Sequence, residues 1–472
     1  MGWGARAGGT VAVVLVATGA YLTADAYDLV PGLLTVEPVP APAAPFPDAP
    51  GAALGDEPVA VAPALADDAP EPSPSDVQGL VDDLAADTRL GKRVGVLVTD
   101  RDSGDVLGAH APTAAFVPAS TQKLFTAAAA LSTLDPHSTL TTSVVQAKPG
   151  DGTIYLHGGG DMLLAAGAGD PEATNGHAGL ADLAKQVAGK LLLRGEDSVH
   201  LALDDTLFEG PTVSPTWDPR SVAAGYAAPV TPLEVDIARL SDDEYALRSP
   251  DPSMAAAQTF AAALEKRGVT VTGDPVRSSV PKDPKQLGAV ESAPLWQVVD
   301  YFLEHSDNSV TEGVGRLVAI EAGVPATFDG ATRAVRTAVQ RLDVDTEGMV
   351  LADCSGLGDG SKVSPQQLDQ VLRAITDPER PRLRTAAVGI PIAGLTGTLA
   401  ERFVGTDAAG VVRSKTGSLP DVTALSGTVV TADERMLTFV VLADRVPDGG
   451  TWGARVIFDR FVGQLADCGC GG

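Results

Sequence analysis

Apolar residues recur at helical spacing at Val77, Leu80, Val81 and Leu84, which predicts a first amphipathic helix beginning near Asp76. The period then changes. Residues 94–100 form a valine-rich apolar run that reads as a strand, and Arg101-Asp-Ser-Gly104 supplies turn chemistry before a second strand at 106–108, so a hairpin is expected. Pro118-Ala-Ser120 opens an alanine-rich helix over 121–134. From 141 to about 250 the segments shorten, with a strand at Ile154-Tyr-Leu156, a glycine turn at Gly158-Gly-Gly-Asp161 and a helix over 180–193. An amphipathic helix at 254–267 ends at Gly268. Helical runs at 295–305 and 310–322 leave a short connection between them. Strands at 410–415, 425–430 and 436–443 precede a closing helix at 452–465. Contiguous antiparallel strands late in the chain, with helices before and after, predict an α+β fold: a sheet with helices on both faces, interrupted by an inserted α/β region.

The two ends of the chain are different in kind. Ala7 to Ala24 is uncharged and follows Arg6, the pattern of an export signal or signal anchor over 1–26, with Ala24-Asp-Ala26 as a small-residue cleavage site. Residues 27–75 are rich in proline, alanine and acid and read as an extended linker. The expected order is then a first catalytic part over 76–140, an insertion over 141–250, a second catalytic part over 251–467 and a tail over 468–472. Such a leader places the folded part outside the membrane, with membrane contact only through the N-terminal segment.

A net charge of −27 over 472 residues leaves no basic stripe for phosphates, so nucleic acid is not an expected partner. The three cysteines are Cys354, Cys468 and Cys470; in an oxidising compartment an odd count predicts one bridge, from Cys354 to Cys468 or Cys470, and a spare thiol. Neither the cysteines nor the six histidines form a zinc pattern, and no metal or cofactor is expected. His305 reads as a helix-end residue.

Three short signatures remain, in fixed order: Ser120-Thr-Gln-Lys123, Ser306-Asp-Asn308 and Lys415-Thr-Gly417. Each is weak alone, and Ser279-Val-Pro-Lys282 repeats the first with a proline inside the spacing. The second is sharper, because the chain has only two asparagines, Asn175 and Asn308. Together they describe serine acyl transfer. A lysine three residues after a serine on a helix reaches its hydroxyl and acts as base once its pKa falls, through desolvation or through neighbouring positive charge, for which Lys415 is a candidate source. Ser306 offers a proton relay, and Asn308 has a donor and an acceptor to hold Lys123 and a substrate amide. Lys415 and Thr416 suit a substrate carboxylate, Gly417 permits close approach, and the Ser418 N–H is a candidate oxyanion donor.

With these motifs, Phe116-Val-Pro-Ala-Ser-Thr-Gln-Lys-Leu124, the Gly159-Gly-Asp161 turn, Trp217, Ala228-Pro-Val-Thr-Pro-Leu233, Asp353-Cys-Ser-Gly-Leu357 and Val363-Ser-Pro365, the chain resembles the D-alanyl-D-alanine carboxypeptidase/endopeptidase family of class C low-molecular-mass penicillin-binding proteins. The 186 residues between Ser120 and Ser306 fit that family's insertion and not the closer spacing of class A β-lactamases. The resemblance implies a penicillin-binding-protein/β-lactamase-like catalytic domain and a serine peptidase acting on peptidoglycan stem peptides, with β-lactams as covalent inhibitors. It implies Ser120 as nucleophile, Lys123 as base, Ser306 and Asn308 as relay and orienting groups, and Lys415 with Thr416 as carboxylate clamp. Met162, where the family often has proline, and Cys354 depart from its pattern. The rival readings are a non-turnover penicillin-binding sensor or scaffold of the cell wall, and an esterase or β-lactamase using the same serine.

Overall fold

The computed structural model describes residues 18–25, 69–243 and 245–468. Most of the leader, the linker as far as residue 68, and Cys470 with the rest of the tail lie outside the described residues. Residues 18–25 are helical, and among the described residues no helix is long and apolar enough to cross a membrane. The chain divides into two compact units, 1–64 and 65–472, and among the described residues every strand lies in the second.

That unit opens with α1 (Pro74–Ala85), which has proline at its start and buries Val77, Val81 and Leu84 along one face. The antiparallel pair β1 (Val94–Asp100) and β2 (Val106–His110) follows, with a register shift at Val98/Thr99. A 3-10 turn, Ala119–Gln122, runs into α2 (Lys123–Thr133). Every residue of α2 from Lys123 to Leu131 is buried. A helix apolar on all sides belongs at the centre of a layer, and its alanines let neighbours approach closely.

The chain then makes β3 (Thr141–Gln146), β4 (Thr153–His157), β5 (Asp161–Leu164), α3 (Leu180–Leu193), β6 (Ser198–Asp204), β7 (Leu233–Val235), α4 (Pro252–Glu265), β8 (Thr270–Val271), β9 (Val276–Arg277) and β10 (Lys285–Glu291). Four longer helices come next, α5 (Leu295–Glu304), α6 (Asn308–Glu321), α7 (Phe328–Gln340) and α8 (Pro365–Thr376), and then a short one at Arg384–Gly389. Strands β11 (Val412–Leu419), β12 (Val422–Val430) and β13 (Met436–Ala443) and helix α9 (Thr451–Ala466) close the unit.

The first sheet has the order β11-β12-β13-β1-β2, antiparallel throughout. One face packs Val96, Val98, Leu425, Leu437 and Phe439 against α1 and α9. The other packs Ala424, Val440 and Leu442 against the layer of α2 and α5–α8. All seven residues of β1 are buried, as expected of a strand covered on both faces.

The second sheet has the order β10-β3-β4-β6-β8, with β9 also on β6, and shares an apolar core with α3 and α4. Its β4–β6 pair is parallel, joined through α3, so the inserted region is of the expected α/β kind. Its end is later than the sequence reading placed it. Residue 250 falls just before α4, whereas the sheet closes only at Glu291, where β10 pairs with β3. A pairing between residues about 145 apart leaves no local trace in the sequence. The two ends of the insertion meet in a neck: Ser292 N–H donates to Leu140 O (3.0 Å), Leu295 N–H to Ser138 O (2.9 Å) and Trp296 N–H to Pro136 O (3.0 Å).

Cys354 and Cys468 stand as free thiols, so no bridge joins them. Cys354 is buried in the helical layer on one face of the first sheet, and Cys468 follows α9, which packs on the other. The alternative partner, Cys470, lies outside the described residues.

Candidate active site

The three signatures come from three elements that meet at the rim of the first sheet. Ser120 lies in the 3-10 turn before α2, so Lys123, one turn on, faces the same way. Ser306 and Asn308 sit where α5 passes into α6; Asp307 caps α6, its carboxylate accepting from the Val310 N–H. Lys415, Thr416, Gly417 and Ser418 lie on β11, which runs through the whole motif to Leu419 instead of ending at the lysine. β11 is an edge strand; its start is covered by 391–393, through the Ile392/Arg413 bridge and the Ser414 N–H to Pro391 O bond.

Lys123 Nζ donates to Ser120 Oγ (3.1 Å), Asn308 Oδ1 (2.7 Å) and the Ser355 carbonyl (2.9 Å). These three bonds use all its donors. The side chain is fully buried, and burial pushes its pKa down to about 8 against the pull of Asp353, Asp307 and Glu312. Of the two sources left open by the sequence, desolvation and the Lys415 charge, it is desolvation that lowers the pKa. Lys415 Nζ donates to Ser306 Oγ (2.9 Å) and the Thr416 carbonyl (3.2 Å), and its pKa is held well below the usual range by burial and then by Lys123. The Thr416 hydroxyl meets that of Thr398 at 3.0 Å, and Ser418 Oγ accepts from Arg455.

Asn308 behaves differently from expectation on its donor side: Nδ2 donates to the Tyr226 carbonyl (2.8 Å), a residue of the insertion. Gly417 has a reason that the sequence did not supply, since a Cβ there would stand 2.8 Å from the Pro118 carbonyl oxygen. His305 is the last cap of α5, its ring tilted on Tyr301 at 4.5 Å, as a helix-end residue.

Ala119 (φ 46°) and Ser306 (φ 56°) are left-handed without being glycine. Such residues cost about 1–3 kcal/mol each and persist where the surroundings over-determine them. Beside Ser306 stands Lys415, and beside Ala119 the 353–358 turn, for which the sequence alone suggests no role. The Asp353 carboxylate accepts from the Gly356 and Gly358 N–H groups and from Trp217 Nε1 (2.7, 2.7 and 2.8 Å). Gln122 Nε2 donates to the Asp353 carbonyl. The Glu312 carboxylate, one turn into α6, accepts from the Cys354 and Ser355 N–H groups (3.0 and 2.9 Å). Burial, then Asp353, raises its pKa to about 8. These bonds fix the Ser355 carbonyl that receives Lys123. Their signals in the sequence are the string Asp353-Cys-Ser-Gly-Leu357 and Trp217, which mark the family resemblance without indicating a role.

The fold is shared with penicillin binding protein 4 (DacB) of Haemophilus influenzae, at a TM-score of 0.70 and 22% identity over 82% of this chain and 99% of that one. A carboxypeptidase of Mycobacterium tuberculosis is 35% identical over 413 residues, which cover 86% of this chain and 87% of the relative. The carboxypeptidase DacB of Mycolicibacterium smegmatis is 36% identical over 385 residues, 79% of this chain and 80% of its own. A D-alanyl-D-alanine carboxypeptidase of Actinomadura is 29% identical over 75% of this chain and 78% of its own. The D-Ala-D-Ala carboxypeptidase 3 (S13) family matches residues 77–243 and 237–452. On that coverage and these identities the chain belongs to the D-Ala-D-Ala carboxypeptidase 3 (S13) family and is a serine D,D-peptidase.

Proposed function

We propose that this enzyme releases the terminal D-alanine of peptidoglycan stem peptides, and cuts D-alanyl cross-links, through an acyl-enzyme on Ser120, acting outside the cytoplasmic membrane. The observation that carries the reading is the buried Lys123 amine, held between Ser120 Oγ and Asn308 Oδ1 with its pKa lowered to about 8. Within about one pH unit of neutrality such an amine is partly unprotonated and takes the Ser120 proton as Oγ attacks the penultimate D-alanine carbonyl. The Oγ–C bond forms, and the carbonyl oxygen takes negative charge opposite the Ser120 and Ser418 N–H groups. The C–N bond then breaks as the proton passes, by way of Ser306, to the leaving amine of D-alanine. Water repeats the sequence: Lys123 accepts its proton, the oxygen attacks the ester, and Ser120 is released with its proton restored.

Lys415 orients the Ser306 hydroxyl by donating to it, which leaves the Ser306 proton directed elsewhere. The same serine would be trapped by β-lactams, whose amide is strained and whose leaving amine stays tethered; a β-lactam complex of the Haemophilus protein is among the solved structures. Full-length protein and Ser120→Ala test this with labelled penicillin and a peptide ending in D-Ala-D-Ala. Wild type takes one label at Ser120 and releases D-alanine; the variant takes none and loses release by roughly 10⁴-fold or more. Labelling without release instead indicates the sensor or scaffold, and rapid loss of label with no free D-alanine indicates a β-lactamase or esterase.

A further inference from the structure

A carboxylate clamp built on Lys415 meets a difficulty in the geometry. Its amine is fully buried, two of its three donors are given to Ser306 Oγ and the Thr416 carbonyl, and its charged form is disfavoured there. The outer edge of β11 needs another cation if a carboxylate is to be held beside it.

The first turn of α9 supplies one. Arg455 Nη2 donates to Ser418 Oγ at 2.9 Å. Ser418 is exposed and two residues beyond Thr416, so the two side chains stand on the same face of the strand. Because Ser418 Oγ accepts from the guanidinium, its own proton is left to donate outward, strengthened by the charge behind it. Four further N–H donors of Arg455 remain.

Arg455 also lacks a counter-ion among the described residues. The chain has 61 acidic against 34 basic residues, and around the same sheet Arg93, Arg402 and Arg435 are matched with Asp444, Asp459 and Asp100, while Arg445 and Arg460, like Arg455, have no ion pair. Arg413, on β11 itself, gives its guanidinium to the Val388 carbonyl. Arg455 has no carboxylate partner among the described residues, and its recorded bond is to a residue of the motif strand.

The geometry points to Arg455 as a substrate-binding residue that, with the Ser418 hydroxyl, receives the free C-terminal carboxylate of the D-alanyl peptide. This rests on the D,D-peptidase reading and adds a specificity determinant to it. A planar fork facing a planar carboxylate favours leaving amines that carry a carboxylate on the adjacent carbon, as D-alanine does, over cross-links to a side-chain amine whose adjacent carbon carries none. Arg455 thus biases the enzyme towards the carboxypeptidase reaction.

The test compares a stem-type peptide ending in D-Ala-D-Ala with the same peptide carrying a C-terminal amide, in wild type, Arg455→Ala and Arg455→Lys. For the acid, kcat/KM falls roughly 10- to 100-fold in Arg455→Ala, chiefly through KM, and Arg455→Lys restores part of it. For the amide, the change is under about threefold, which also shows that the variant is folded. An equal loss on both peptides overturns the proposal in favour of a structural role, and so does an undiminished rate on the acid. If wild type releases neither D-alanine from the acid nor D-alaninamide from the amide, the peptidase reading fails, and acylation by benzylpenicillin and its methyl ester still decides the role of Arg455. The free acid's advantage over the ester shrinks by a similar factor in Arg455→Ala if the proposal holds, and an unchanged ratio overturns it.

Discussion

The surroundings of the motif site and the inserted second sheet are built from the same chain on opposite principles. Around the site, Lys123, Lys415, Glu312 and Asp353 are fully buried, Ala119 and Ser306 are left-handed, and Gly356 and Gly417 leave no room for a Cβ. Between the second sheet and α3 and α4 the core is leucine, valine, alanine, isoleucine and phenylalanine, and the exposed glycine of α3, Gly189, has nothing within 4 Å of a Cβ position. The insertion has buried carboxylates, Asp161, Asp204 and Glu234, at β5, the end of β6 and β7, each satisfied in part by nearby backbone. The first region holds conformations and charges that cost stability because the site requires them; the second has only to fold. Substitutions should therefore sort by region: heavy loss of activity in the first, and effects on stability alone in the second.

Lys123 tests the contrast at its strongest. Lys123→Ala should slow acylation by roughly 10³-fold or more, near the upper range for general-base catalysis, measured with labelled penicillin. The wild-type pH profile adds a check. The working form is the neutral amine, so kcat/KM rises with pH through about 8, by close to tenfold per unit well below that value, then levels. A profile flat from pH 6 to 9 breaks the assignment of Lys123 as the base.

Gly356→Ala comes next, and it asks whether the 353–358 turn is part of the machinery. Gly356 has φ +80°, and an added Cβ would overlap the Ala119 carbonyl oxygen, one residue before Ser120. Strain in the left-handed region plus the overlap should destabilise the protein by about 2–4 kcal/mol. Displacement of Ala119 should also cut acylation by at least about tenfold. A lower Tm with undiminished acylation would place this turn with the passive scaffold.

How much of this was readable beforehand follows the same division. The elements α3 and β13, and the amphipathic periods of α1 and α9, stood in the sequence because a helix or strand with one buried face writes its period locally. The pairing of β10 with β3 did not, and it moved the insertion boundary from 250 to 291. The residues of the three motifs are brought together as their order implied, because their spacing carries chemistry. Their support was hidden. Ser355 acts through a carbonyl, which every residue has, and Glu312 looks like any acid on a helix until Cys354 and Ser355 are seen to point N–H groups at it. Arg455 was likewise invisible, 37 residues from Ser418 on another element. The absence of a Cys354–Cys468 bridge was hidden for a related reason, since counting thiols says nothing of which face of a sheet these two occupy.

The smallest expected effect carries the sharpest test of the insertion's passivity. Gly189 lies within α3, on its exposed side, with open space where a Cβ would go. Gly189→Ala removes unfolded-state freedom and adds no contact, so it should stabilise by about 0.5–1 kcal/mol and raise Tm by a degree or so. On the argument from regions, kcat/KM for a D-Ala-D-Ala peptide should not move, because α3 reaches the site only through its own sheet. Among the described residues the insertion meets motif side chains through the Tyr226 carbonyl on Asn308 Nδ2 and through Arg239, 3.9 Å from the Asp307 carboxylate, both in a segment separate from α3. If Gly189→Ala raised Tm and yet lowered turnover, stiffening the second sheet would be felt at Asn308. The insertion would then be a working part of the enzyme, and the division between the two regions would fail where they touch, at the neck and along the segment from Glu209 to Arg239.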